Sequence, residues 1–396
     1  MNAPFNAGGR EPFHVMVKAS GAQCNLDCTY CFYLHKQSTL AQPDLPRMSD
    51  AVLEAHIRQY IEAQDAKQVV FSWQGGEPTL MGLDFFRRVV ALQKQYAKPG
   101  QRVENDLQTN GVLIDEEWAK FLKENDFLVG LSMDGPPDLH DLYRRTKGGT
   151  PSSGRVVRAA ELFHSHAIPF NVLCVVNRTN ARRPNDVYRY LRDVIRPRMI
   201  QFIPCVERNT CQTTAPGYWD VNAESAVTDW SVKPDDWGYF LGRVWDEWFR
   251  RDYGRVFVDQ FENVISQMMG FGAQKCVSSE RCGKALAIEH NGDVYSCDHY
   301  VYPQYKLGNI LLQHEGELAN SHAQAEFGIA KHTTLPAYCK TCEHLDLCWG
   351  DCPKNRFLKA PNGEPGLSYL CTGLKQFYAK VTLARSEVKH RLETGA

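Results

Sequence analysis

The feature that most narrows the fold is a repeated change of hydrophobic period along the first half of the chain. Apolar, β-branched runs lie at His14 to Ser20, Gln68 to Trp73, Val103 to Gln108, Phe127 to Ser132, Phe170 to Val176 and Met199 to Pro204, and such runs read as strands. Between them apolar residues recur at helical spacing. After Ser49, a side chain suited to cap a helix, Leu53, Ile57, Tyr60 and Ile61 share one face. Leu83 to Tyr96, Asp115 to Leu122, Val156 to Phe163 and Val187 to Ile195 behave alike. Six strand–helix alternations predict parallel βα units in one sheet. Periodicity leaves open whether that sheet curls into a barrel or partial barrel, or stays open and doubly wound.

The pattern then changes. Val232 to about Gly272 is aromatic-rich and helical, with Trp237, Phe240, Val244, Trp248 and Phe249 spaced for one buried face, as in a bridging segment. Further on, LAIEHNGDVYSC predicts a β-hairpin with Asn291 and Gly292 in a two-residue turn, since both tolerate positive φ.

Fourteen cysteines in 396 residues need a chemical reason. No apolar run approaches the ~18 residues that cross a bilayer, and MNAPFNAGGREPFHV lacks the basic start and apolar core of a secretion signal. A cytoplasmic location is therefore expected, where thiols serve metals or catalysis rather than disulfides. With 45 basic against 46 acidic residues, a net charge of −1 predicts no nucleic-acid partner. No membrane partner is expected either.

The cysteines sort by position. Cys24, Cys28 and Cys31 lie in CNLDCTYC, directly after the first strand, the edge on which βα folds build active sites. Three thiolates can hold three irons of a 4Fe–4S cluster and leave the fourth iron open. The spacing also allows a zinc site completed by His35 or a distant ligand. Later come Cys276, Cys282 and Cys297, then CKTCEHLDLCWGDC (Cys339, Cys342, Cys348, Cys352), then Cys371. These eight suffice for two four-thiolate sites, and a zinc ribbon is the plainer reading of the CX2CX5CX3C block. Cys174, Cys205 and Cys211 are left over; Cys174, inside an apolar run, is expected to pack as a small hydrophobe.

The CX3CX2C spacing with Tyr30 before its last cysteine resembles the cluster motif of the radical S-adenosylmethionine (SAM) enzymes. WQGGEP (with Gly75, Gly76 and Glu77), QTNG (Gln108 to Gly111) and SMDGP (Ser132 to Pro136) resemble that family's segments after strands two, three and four. The later cysteines are similar to the SPASM domain of peptide-modifying members. Within the class, CTYCFYL, WQGGEPTL, LSMDGP, IQFIPCVE and CDHYVYPQYKLGNI resemble the anaerobic sulfatase-maturating enzymes over essentially the whole chain.

That resemblance implies an α/β fold: a partial (β/α)6 barrel over residues 1–231, a helical bridge over 232–272 and a SPASM domain over 273–396. It implies SAM and three 4Fe–4S clusters. One cluster would sit on Cys24, Cys28 and Cys31; one auxiliary cluster on Cys276, Cys282, Cys297 and Cys352; the other on Cys339, Cys342, Cys348 and Cys371. SAM contacts carry over to Tyr30, Gly76, Ser132, Arg144 and Val206, and substrate contacts to Tyr33 and Gln74, with a core aromatic as the other reading of Tyr33. An exposed ion pair competes for Arg144, whose neighbour Arg145 offers the same chemistry. The implied reaction oxidises a cysteine or serine in a Cys/Ser-x-Pro-x-Arg segment of an unfolded or nascent sulfatase to Cα-formylglycine. An electron donor such as flavodoxin or ferredoxin is implied as a partner. Asp298 carries over as the base, with a turn-capping aspartate as its alternative role. An aspartate of pKa ~3.9 facing a thiol of pKa ~8.5 works uphill by about 6 kcal/mol, so burial is expected to raise its pKa. Other readings are a SPASM enzyme forming a thioether or carbon–carbon crosslink, and a zinc-stabilised scaffold.

Overall fold

The computed structural model describes residues 12–210, 215–216 and 227–394. Ten strands form one sheet: β1 (His14–Lys18), β2 (Gln68–Trp73), β3 (Arg102–Thr109), β4 (Leu128–Ser132), β5 (Phe170–Val176), β6 (Met199–Pro204), β7 (Phe257–Val258), β8 (Ala285–Glu289), β9 (Asp293–Tyr295) and β10 (Lys306–Asn309). Their order is β10-β9-β8-β1-β2-β3-β4-β5-β6-β7. From β1 to β7 every neighbour is parallel, as the alternation predicts, and among the described residues the two ends of the sheet do not pair with each other. The fold is thus an open, partial barrel of βα units.

The hairpin β8–β9 joins this same sheet. β8 pairs in parallel along all of β1, from His14↔Ala285 to Lys18↔Glu289, and β9 and β10 continue antiparallel. Its turn is longer than two residues: Gly292 N–H donates to the Glu289 carbonyl at 2.9 Å, and only Gly292 takes a positive φ, +87°. A three-residue loop with glycine in the left-handed position matches the strand twist without placing Asn291 there.

Helices cover the strands' outer face. Ser49 caps Asp50–Ala63 through Val52 N–H, and Asp115 caps Glu116–Glu124 through Trp118 N–H, each satisfying an amide the helix cannot. The helix expected over Val187 to Ile195 begins at Pro184, where proline's missing N–H costs nothing, and its last turn, Leu191–Ile195, widens to a π turn before left-handed Arg196. Beneath, Trp73 is fully buried, its indole N–H donating to Asn105, which exchanges hydrogen bonds with Gln93 of the helix Leu83–Tyr96. No helix among the described residues is long and apolar enough to cross a membrane.

Two contacts fix the later chain against the barrel. His56 Nδ1 meets both Glu315 carboxylate oxygens at 3.0–3.1 Å, fully buried, while Gln59 holds Ile310 and Glu315 backbone. The helix Pro234–Arg251 buries Trp237, Phe240, Val244 and Trp248, with Phe249 half-buried, and crosses the helix Cys371–Leu383 at two glycines. A Cβ at Gly373 would meet the Pro234 carbonyl at 1.8 Å. The bridge therefore positions the helix whose first residue is Cys371.

Inside the sheet, burial pushes the Asp106 carboxyl up to about 6, although Ser72 Oγ donates to it at 2.5 Å. A raised carboxyl favours the protonated folded state, so its contribution is complete below the unfolded pKa and is lost as pH rises through about 6. Asp106→Asn is expected to raise the melting temperature relative to the parent at pH 8, by about half as much at pH 5, and to leave it nearly unchanged only near pH 3, below the unfolded carboxyl's pKa of ~3.9, measured by thermal unfolding.

Candidate functional site

The loop after β1 holds Cys24, Cys28 and Cys31, half-buried together. Burial, then Glu77, pushes the Cys24 thiol up to about 12; burial pushes Cys28 to about 12 and raises Cys31. Leu26 N–H and Asn110 Nδ2 both point at Cys24 Sγ, at 3.4 and 3.6 Å. Glu77 organises this edge. Its buried carboxylate accepts from Thr79 N and Oγ1, Thr109 Oγ1 and Asn110 N at 2.6–3.1 Å, tying the loops after β2 and β3 together. Gly76 N–H donates to Gly21 and Glu77 N–H to Gln23, and a Cβ on Gly76 would meet the Gln23 carbonyl at 1.9 Å. The chain's own backbone, on the loop leading to Cys24, already requires that glycine.

Of the residues carried over for SAM, Gly76, Ser132 and Val206 sit at strand C-terminal ends, Tyr30 lies in the loop after β1, and Arg144 follows the helix Pro137–Tyr143. Ser132 closes β4 and accepts from Gln108 Nε2 at 3.0 Å. Arg144 does not make the exposed ion pair weighed for it: it is buried, with Nε and Nη2 on the two oxygens of fully buried Asp134 at 2.9 and 3.2 Å. Tyr30 OH donates to the same carboxylate, and the guanidinium lies 5.4 Å from its ring centroid. Arg145 turns outward, to the Asp141 carbonyl. Val206 is buried just past β6, and Gln74, half-buried, follows β2 with its N–H on the Val17 carbonyl.

The eight later cysteines fall into two groups in space. The Cys297 thiol is raised by burial and by Cys352 and Cys276, and that of Cys352, up to about 12, by burial, Cys276 and Cys282 among others. Separately, Cys371 responds to burial, Cys339 and Cys342, and Cys348 to burial and Cys371. Cys339, Cys342, Cys348 and Cys371 line one cavity of about 410 Å³, counting its open mouth. No disulfide joins any described cysteine. Among the described residues no three His, Cys, Asp or Glu converge tightly enough for a single metal ion, as zinc would need, and His35 turns toward Tyr302. Sets of three, four and four soft donors, gathered in space and most of them raised by burial, fit iron–sulfur groups, whose bound cations would hold them as thiolates. Cys174 is fully buried in β5, Cys205 is buried after β6, and Cys211 lies outside the described residues.

Asp298 follows Cys297 in a short helical turn lying against β8. It forms an ion pair with buried Lys18, the last residue of β1. The Lys18 ammonium also stands 4.6 Å from the Tyr33 ring centroid, and Tyr33 OH donates to buried Glu289. The raised pKa expected for Asp298 is corrected here. Burial acts to raise it, but Lys18, His299 and Lys354 outweigh burial and hold it below the usual carboxylate range. Lys354 pairs with Glu207 at 2.6 Å, and His299 packs on Phe32.

Sequence reading placed Lys18, Glu77, Asp134, Glu289 and Lys354 in no role. Glu77 and Asp134 stand within quoted motifs, WQGGEP and SMDGP, so a signal existed: acids directly after strand ends. Lys18 offered a weaker one, a cation closing an apolar strand.

Two family descriptions match the chain: the radical SAM superfamily over residues 20–191 and SPASM, an iron–sulfur cluster-binding domain, over residues 276–343. The chain is 42% identical to the serine-type anaerobic sulfatase-maturating enzyme of Bacteroides thetaiotaomicron, over 96% of this chain and 92% of that protein. To the cysteine-type anaerobic sulfatase-maturating enzyme of Clostridium perfringens it is 36% identical, over 93% and 95% respectively. Native anSMEcpe with bound AdoMet and Cp18Cys peptide superimposes with a TM-score of 0.83 at 34% identity, covering 96% of this chain and 99% of that one.

Because Gly76 and the Gln23 carbonyl leave no room for a side chain, Gly76→Ala is expected to displace the Cys24 loop. Reconstituted protein should keep its secondary structure by circular dichroism yet lose part of its iron, the share bound by the loop's three thiols. Iron analysis checks this; a full iron complement would show that the loop tolerates the change.

Proposed function

The chain belongs to the anaerobic sulfatase-maturating enzymes of the radical SAM superfamily, and we propose that it oxidises a cysteine or serine in a Cys/Ser-x-Pro-x-Arg segment of a sulfatase polypeptide to Cα-formylglycine. The observation that carries this is likeness to serine-type and cysteine-type maturing enzymes over more than nine-tenths of the chain. In this reading residues 1–231 act as the radical SAM barrel, 232–272 as a bridge and 273–396 as the SPASM domain. Three 4Fe–4S clusters occupy the three cysteine sets, and a flavodoxin or ferredoxin supplies reducing electrons. Bound on Cys24, Cys28 and Cys31, a cluster with SAM would supply the radical for hydrogen-atom removal from the target Cβ, and an auxiliary cluster would supply an electron acceptor.

The chain's own residues handle binding and the proton. Tyr30, Gly76, Ser132, Arg144 and Val206 hold SAM at the strand ends; Asp134, which ties Tyr30 to Arg144, orients two of them. Tyr33 and Gln74 line the target side chain. Asp298 accepts the thiol or hydroxyl proton. The gap of about 6 kcal/mol between a thiol and an ordinary aspartate is widened by the Lys18 ammonium. Proton loss therefore follows or accompanies hydrogen abstraction, which acidifies the adjoining S–H or O–H. For a cysteine target, hydrolysis of the thioaldehyde then completes the product.

Anaerobic incubation with SAM, a reductant and peptides carrying Cys-x-Pro-x-Arg or Ser-x-Pro-x-Arg is expected to yield aldehyde, read by mass spectrometry. SAM cleavage with neither peptide modified would favour a crosslinking enzyme instead. Asp298→Asn should keep iron content and SAM cleavage while product formation falls by about a hundredfold or more, the scale of a lost general base. Undiminished formylglycine from this variant would remove Asp298 from the role.

A further inference from the structure

Between the two later cysteine groups lie two buried cations that the proposed reaction does not use. Lys331 is 0% exposed and Arg356 3%. All three Lys331 donors go to backbone carbonyls of the loop carrying Cys276: those of Cys276, Val277 and Ser279, at 2.5, 2.8 and 2.5 Å. The Lys331 carbonyl in turn accepts from Arg356 Nη1 at 2.6 Å. The remaining Arg356 donors reach the carbonyls of Trp349, Gly350 and Asp351. These three residues link Cys348 of one group to Cys352 of the other.

That linker is strained. Trp349, Gly350 and Asp351 have φ of +45°, +70° and +63°, and left-handed backbone costs roughly 1–2 kcal/mol for each non-glycine residue. Its carbonyls turn inward onto one guanidinium, which offsets that cost. Cys348, before this run, and Cys352, after it, belong to different groups. Carbonyls satisfy the donors but do not neutralise the charge. Asp351 acts on both cations, yet its carboxylate is turned to Asn355 and Ser368 at 2.9 and 2.8 Å. One acid against two cations leaves net positive charge in a buried place, which is costly without a further anion. Cys276, whose carbonyl Lys331 holds, and Cys348 and Cys352, which flank the linker held by Arg356, would supply it once they are thiolates of bound clusters.

We propose that Lys331 and Arg356 form a cationic bridge that compensates the negative charge of both auxiliary clusters and makes them readier to accept the substrate electron. This rests on the cluster reading given above. Converting the target to aldehyde level removes two hydrogens: one as the atom taken by the 5′-deoxyadenosyl radical, the other as a proton to Asp298 and one electron to an auxiliary site. That electron adds one negative charge beside the bridge, and net charge is a main determinant of such potentials.

The test uses the reconstituted full chain, Lys331→Arg and Lys331→Gln, with iron and sulfide analysis followed by an EPR-monitored redox titration. Expected are wild-type auxiliary potentials in the Arg variant and more negative ones in the Gln variant, with the cluster on Cys24, Cys28 and Cys31 unmoved in both. Auxiliary iron lost from the Gln variant and kept in the Arg variant would equally support charge compensation. A fully loaded Gln variant with wild-type potentials would overturn the proposal, as would equal loss of iron from both variants, which would mark a role of shape alone. Wild-type protein taking up about four irons instead of about twelve would overturn the cluster reading itself, and this inference with it.

Discussion

The parallel pairing of β1 with β8 is the contact on which the rest of the molecule depends. β1 ends in the loop carrying the first three cysteines, and β8 leads through a hairpin to Cys297 and Asp298. Pairing in register from His14 to Lys18 fixes two regions more than 250 residues apart in sequence to one another through backbone hydrogen bonds. Its final pair, Lys18 opposite Glu289, supplies the charges around which Tyr33 and Asp298 settle. The loop of the first three cysteines and the proposed base, Asp298, thus meet because a sheet edge was extended, with side chains adding detail.

Buried charge is the second theme. Lys18, Arg144, Lys331, Arg356 and Glu77 are all nearly inaccessible, and each is surrounded by hydrogen-bonding partners, as burial of charge demands. They divide into two kinds. Arg144 and Lys18 face carboxylates and are locally neutralised; Lys331 and Arg356 face mainly carbonyls. Only the second kind needs an anion from elsewhere, and its carbonyl partners belong mainly to the loops that carry Cys276, Cys348 and Cys352.

Much of this was legible beforehand. β5 and β6 begin and end where the apolar runs do, and Ser49 caps its helix as its type suggests, because strand burial and capping are local effects. The hairpin turn was misjudged because Asn-Gly permits a two-residue turn without requiring one. The raised pKa expected of Asp298 failed for a different reason: burial was foreseen, but the cation that outweighs it comes from the far end of the sequence. The same distance hid the roles of Asp134, paired with Tyr30, and of Glu289.

What the sequence alone determined is the kind of chemistry: thiols in number, in a chain whose βα alternation places the first set at strand ends. What it could not determine is how equal spacings are used. Cys24 and Cys28 are separated by three residues, as are Cys348 and Cys352. The first pair shares one group, while the second is split between two. Across the split runs a left-handed stretch, Trp349 to Asp351, that local propensity disfavours and that a guanidinium five to seven residues on holds in place. Spacing sets which thiols can reach a common centre; only the folded backbone decides which of them do.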